Sequence, residues 1–153
     1  MRRALVCGDS TLDNGAYVGP DGCALADHLA EILGETWTTD FRALDGATTA
    51  DVAVAQLPAV AETYDAVVVS VGGNDALANA GLLDAEDRLT LLEAGLVLSE
   101  LQSRFRADYR AMLAAARPLA PRLLALVVYR GCFSLDPDST QRRAVASNTL
   151  LSI

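Results

Sequence analysis

A chain of 153 residues is the length of one domain and can bury a sizeable core, and 52% hydrophobic against 21% charged residues is a globular composition. The net charge is −8 and all 12 cations are arginine; the charge disfavours binding to a phosphate backbone, and the absence of lysine removes a P-loop, a Schiff base and the lysine of a phospho-acceptor receiver. With no run of about 18 apolar residues to span a bilayer, the expectation is one soluble domain over 1–153, with no nucleic-acid partner, no membrane insertion, no cofactor and no metal.

Met1 to Arg3 followed by Ala4 to Cys7 starts like a signal peptide, but the apolar stretch stops at Gly8-Asp9-Ser10, well short of a signal h-region. It reads as a first strand, and the protein as cytoplasmic. A helix opened by Asp21-Gly22 follows, because Leu25, Leu29, Ile32 and Leu33 return to one face at spacings of four, seven and eight. Trp37 to Leu44 alternates less cleanly and contains Arg42, which suits a strand near an edge. Thr48 and Asp51 have the spacing of a capping box, so a second helix starts there and is interrupted at Pro58.

Ala66 to Val71 and Leu123 to Tyr129 are apolar throughout and rich in β-branched residues, the pattern of parallel strands covered on both faces. Between them Leu98, Leu101, Phe105, Tyr109, Met112 and Leu113 make a helical stripe that runs up to Pro118 and Pro121. Gly131 to Asp138 is loop-like. From Ser139 the pattern turns helical again and stops at Leu150 to Ile153 without a closing glycine, proline or polar cap, which points to a truncated chain. Such a chain would leave a bare sheet edge. Cys7, Cys23 and Cys132 have no metal-ligand spacing and read as free buried thiols.

Strands alternating with helices predict an α/β fold, a doubly wound parallel sheet, whose ligands lie in the crevice at the carboxyl ends of the strands. The loops placed there are Gly8 to Gly15, Asp45 to Thr49 and Gly72 to Asp75. Acyl transfer needs a hydroxyl nucleophile on a tight turn and donors arranged around the future oxyanion. Ser10 can be that nucleophile, with the backbone N–H groups of Ser10 and Gly46 and the side-chain amide of Asn74 as donors. The blander reading is that Gly8, Gly46, Gly72 and Gly73 are tight turns and that Asp9 and Asp75 are helix caps. A turn, however, does not require Ser10 and Asn74 together. Asp13, Asn14, Asp136 and Asp138 suit turn chemistry and need no further role.

Gly8-Asp9-Ser10, Gly46 ahead of Thr48-Thr49, and Gly72-Gly73-Asn74-Asp75 resemble three of the four sequence blocks of the SGNH (GDSL) serine hydrolases, in order and in strand context. The resemblance implies a three-layer α/β/α, flavodoxin-like fold. It also implies an esterase or lipase-like activity on a small or medium acyl ester, with Ser10 as nucleophile, Ser10, Gly46 and Asn74 as the oxyanion hole, and Asp9 and Asp75 as supporting residues. The family's fourth block, an aspartate and a histidine close together near the C-terminus, has no counterpart in these 153 residues. Two explanations stand side by side: the last strand, helix and Asp-His block lie beyond Ile153, or this is a branch that altered them and became a non-catalytic binding module. His28, the sole histidine, sits within the first helix and reads as a bystander. The stretch from Ala76 to Leu98 reads as a small apolar lid that favours apolar acyl groups. The alcohol group and the oligomeric state stay open.

Overall fold

The structure, a computed structural model, describes residues 1–57, 63–79 and 89–126. Four strands, β1 (Arg2–Gly8), β2 (Trp37–Phe41), β3 (Ala66–Ser70) and β4 (Leu123–Ala125), form one sheet in the order β2-β1-β3-β4. Every neighbouring pair is parallel, with Ala4 opposite both Thr39 and Ala66, and Val67 opposite Leu123. Because the chain moves outward in one direction from β1 to β2 and in the other from β3 to β4, the switch point lies between β1 and β3, where such sheets place their ligands. Right-handed crossovers then put the β1–β2 helix on one face and the later helices on the other.

β1 is central because Ala4 to Gly8 are all buried, as a strand covered on both faces must be. Leu5, Cys7, Val67 and Val69 point to one face and join Val52, Leu57, Met112, Ala116 and Leu119 in the core. Helix α1 (Leu25–Leu33) packs on β2, and α2 (Thr49–Asp51) continues into a single π-turn over Val52–Gln56. A short α3 (Gly73–Leu77) follows β3, and α4 (Leu91–Ala116) brings the chain back to β4. This is the expected α/β/α arrangement, with β2 at one edge as anticipated.

Several boundaries differ from expectation. α1 opens at Leu25, not at Asp21-Gly22, because the Asn14 side chain supplies the cap by accepting from the Leu25 N–H at 2.8 Å. Of its stripe, Leu25, Leu29 and Leu33 are half-buried while Ile32 turns outward. β2 ends at Phe41 because the N–H groups of Arg42 and Ala43 both donate to the Val6 carbonyl, which bends the chain across the end of β1. The stripe from Leu98 to Leu113 is buried or half-buried as expected, but α4 begins earlier, on a capping box of Thr90 and Glu93. The segment read as a lid is therefore in part α3 and α4, and its residues 80–88 lie outside the described ones. So do Pro58, Val127 to Tyr129, the loop from Gly131 to Asp138, Cys132 and the C-terminal helical pattern. Of the other thiols Cys7 is buried, whereas Cys23, expected inside, is exposed.

Candidate active site

The first loop is shaped by a close backbone approach. Gly8 has φ +152°, and a Cβ there would sit 2.0 Å from the Ser70 carbonyl oxygen, so only glycine lets β1 end against β3. The Asp9 N–H donates to Ser70 O at 3.0 Å, and the Asp9 carbonyl accepts from Leu12 and Asp13. The buried Asp9 carboxylate accepts from the Thr11 N–H at 2.9 Å. That is an Asx turn, and with buried Leu12 as its anchor it leaves Ser10 half-exposed at the carboxyl end of β1.

Below this turn lies a residue that sequence reasoning passed over. Gln56, buried in the π-turn, accepts from the Gly8 N–H at 2.7 Å and donates to the Gly8 carbonyl at 2.9 Å. A side-chain amide thus pairs with the backbone two residues before Ser10, in the manner of a neighbouring strand. The Gln56 carbonyl in turn accepts from Arg42 and from the Cys7 thiol. Burial pushes that thiol up to about 12, against a smaller opposing pull from Arg42, so Cys7 is a neutral packing group under the turn and not a second nucleophile.

The second loop crosses the first: the Leu44 N–H donates to the Gly8 carbonyl at 3.0 Å. Leu44 to Ala47 then close a turn through Ala47 N–H to Leu44 O, with Gly46 at φ +82°. A positive φ at the third position is the mark of a type II turn. No atom lies within 4 Å of a Cβ built on Gly46, so its conformation and not crowding calls for glycine. Thr48 caps α2, its box with Asp51 formed as expected.

The third loop is laced to the second. The Asn74 amide donates to the Ala47 carbonyl at 3.0 Å, and Asp75 accepts from both the N–H and the hydroxyl of Thr49, at 2.9 and 3.1 Å. Asp75 is therefore a tie between loops more than a cap of α3. The second N–H of the Asn74 amide has no partner among the described residues. The carboxylates around the site are committed to bonds within the loops: Asp9 to Thr11, Asp13 to the Asp45 N–H, Asp45 to the Tyr17 phenol, Asp75 to Thr49. Among the described residues no three His, Cys, Asp or Glu side chains gather to hold a metal ion.

The loops of Ser10, Gly46 and Asn74 thus meet at the carboxyl ends of three adjacent strands, joined by direct hydrogen bonds. His28 is not among them; it is exposed on α1, the helix packed on β2. The profile of the GDSL-like lipase/acylhydrolase family matches residues 6–150. The chain belongs to that family. No curated protein matches it. Among solved structures of the same fold, a lipase from a goat rumen metagenome superposes with a TM-score of 0.64 at 19% identity, over 99% of this chain and 74% of that one. A phospholipase A1 from Streptomyces albidoflavus gives 0.63 at 18% identity, over 99% and 71%. An acetylxylan esterase from Geobacillus stearothermophilus gives 0.57 at 17%, over 99% and 70%. At these identities the likeness is one of fold. No described helix is long and apolar enough to cross a membrane.

Proposed function

We propose that the protein is an ester hydrolase in which Ser10 attacks the acyl carbon of a small or medium acyl ester. The observation that carries this reading is the meeting of the Ser10 turn with the hydrogen-bonded loops of Gly46 and Asn74 at the switch point of the sheet. As the Ser10 oxygen bonds to the carbonyl carbon, the carbonyl oxygen gains negative charge. The N–H groups of Ser10 and Gly46 and the second N–H of the Asn74 amide are the donors that take it up, held by the protein before the reaction begins. Collapse of the tetrahedral intermediate expels the alcohol and leaves an acyl ester on Ser10, which water then cleaves. Asp9 and Asp75 order the loops and do not touch the reacting atoms. The lipase, phospholipase and esterase of the same fold agree with an ester as substrate.

Ser10 needs a base to accept its proton, and the one imidazole of these 153 residues, His28, is exposed on α1. In serine hydrolases loss of a triad member costs on the order of 10⁴-fold in turnover. Hydrolysis of a p-nitrophenyl ester by this chain is therefore expected to be slow, to rise when imidazole is added to solution beyond what imidazole does alone, and to lose that increment in Ser10→Ala. An increment unchanged in Ser10→Ala contradicts the nucleophile assignment. The same placement of His28 favours the second reading, a binding module that holds an acyl ligand in this crevice without turnover. It predicts saturable binding of a non-hydrolysable ester analogue with no Ser10-dependent chemistry under any condition.

A further inference from the structure

Gly8 is the last residue of β1, and the loop of Ser10 departs from it. Along a strand the N–H and C=O of successive residues point alternately to the two neighbours, and those of Gly8 point toward β2. The Val6 carbonyl, two residues earlier, accepts from Arg42 and Ala43 where β2 ends, whereas the Asp9 N–H, one residue on, donates to Ser70 at the end of β3. Since β2 stops at Phe41, no strand is left there to pair with Gly8. Gln56 stands in that place, with its carbonyl oxygen 2.7 Å from the Gly8 nitrogen and its amide nitrogen 2.9 Å from the Gly8 oxygen. The π-turn Val52–Gln56, closed by the Leu57 N–H on the Val52 carbonyl at 2.9 Å, delivers it, and it is 5% exposed. Such turns are rare and recur at functional sites.

The N–H of Gly8 belongs to the peptide that enters the residue and its C=O to the peptide that leaves it, and the orientation of one planar peptide against the other is set by the φ and ψ of Gly8. An amide bonded to both groups at once therefore restrains both dihedrals. The restraint matters because the residue is a glycine at φ +152°, with little backbone preference of its own. The leaving peptide is held on its other side by the Asp9 N–H on the Ser70 carbonyl, and the Gly8 carbonyl takes a second bond, at 3.0 Å, from the N–H of Leu44, the first residue of the turn that carries Gly46. The exit of Asp9 and Ser10 from the sheet and the seat of the Gly46 turn thus meet on one carbonyl. We propose that Gln56 is a positioning residue: it fixes the Gly8–Asp9 peptide, from which the Ser10 turn departs and on which the Gly46 turn hangs, and so keeps nucleophile and donor in register. It does not touch the reacting atoms. This rests on the reading of Ser10 and Gly46 under Proposed function and adds what holds their two loops in place.

The test is the rate at which a p-nitrophenyl phosphonate forms an adduct with the protein, followed by intact mass. Gln56→Leu removes both bonds and is expected to slow labelling at saturation by about tenfold or more, with half-saturation little changed, because geometry matters most as the oxyanion forms. A loss of stability alone leaves the rate unslowed at temperatures where the melting curve shows the variant folded. Gln56→Glu adds a pH profile, which decides by itself if Gln56→Leu does not fold. Protonated, the introduced carboxyl accepts from the Gly8 N–H and donates to the Gly8 carbonyl as the amide does; ionised, it has no proton to donate. Its labelling rate divided by that of wild type is therefore expected to be low at about pH 8 and to rise toward one as the pH falls toward about 4.5, since burial raises a carboxyl above its ordinary value of about 4.3. Over that interval the groups beside it hold their charge: Arg42 stays protonated, Cys7, pushed up to about 12, stays neutral, and Asp40, held below the usual carboxylate range, stays ionised. The ratio for Gln56→Leu is expected to be flat. Ser10-dependent labelling that is unslowed in Gln56→Leu, or a ratio for Gln56→Glu that does not change with pH, overturns the positioning role alone. Labelling that persists in Ser10→Ala, or is absent from wild type and every variant, overturns the underlying site reading and the inference with it.

Discussion

At the residue scale the least expected feature is Gln56. A glutamine in a helix-like stretch is ordinarily a solvated residue. Here its amide replaces a strand partner for Gly8 at the point where Asp9 leaves the sheet, and both of its polar atoms are used. Gln56→Leu keeps approximate volume and removes both bonds, which leaves the Gly8 N–H buried without its acceptor. That costs about 1–3 kcal/mol, and urea denaturation is expected to show the midpoint falling with the slope unchanged. Gln56→Glu is expected to be less stable at neutral pH than in acid, since an ionised carboxylate can accept from the Gly8 N–H but only repels the Gly8 carbonyl. Equal stability of wild type and Gln56→Leu would show that the clamp contributes nothing.

At the scale of elements, β2 is joined to its surroundings by a polar group. Asp40 on β2 bonds the Arg42 guanidinium at 2.6 Å and accepts from the Tyr64 hydroxyl at 2.7 Å. The Arg42 bond, and then Tyr64, hold the Asp40 carboxyl below the usual carboxylate range against the opposing effect of its burial. A depressed folded-state pKa stabilises the fold above the unfolded value, about 3.9, and that contribution is lost as pH falls through the lower folded value. Asp40→Asn should therefore be less stable than wild type at pH 7, with the difference shrinking below about pH 4; a difference independent of pH contradicts the assignment.

Which elements could be read from the sequence follows from where their determinants lie. β1 and β3 announce themselves because burial demands continuous apolar residues, and Thr48 with Asp51 is a local signal that formed as read; β4, read as covered on both faces, starts where expected at Leu123 but leaves Leu124 and Ala125 exposed. The start of α4 was equally local in Thr90 and Glu93 and lay hidden inside a stretch taken for a lid. α1 opens where it does because of Asn14, 11 residues upstream of Leu25, and the π-turn at Val52–Gln56 is a shift of hydrogen-bond register that no side-chain pattern encodes. In the site, Ser10, Gly46 and Asn74 were legible as loop residues after strands. Gln56 and Tyr17 were not, because their partners lie 48 and 28 residues away and only the parallel pairing of β1 brings them together.

For the whole molecule, the sheet order β2-β1-β3-β4 turns three distant loops into one surface, and hydrogen bonds between the loops join them. Membership of the GDSL-like lipase/acylhydrolase family sets the chemistry to be looked for there, and Ser10 is the atom-level claim on which the account rests. The direct measurement is treatment of the native chain with a fluorophosphonate followed by proteolysis and mass mapping of the adduct. The account predicts one adduct, on the peptide that contains Ser10, lost on denaturation before labelling and absent from Ser10→Ala. An adduct on another serine of the native protein, or none after prolonged exposure, would contradict it.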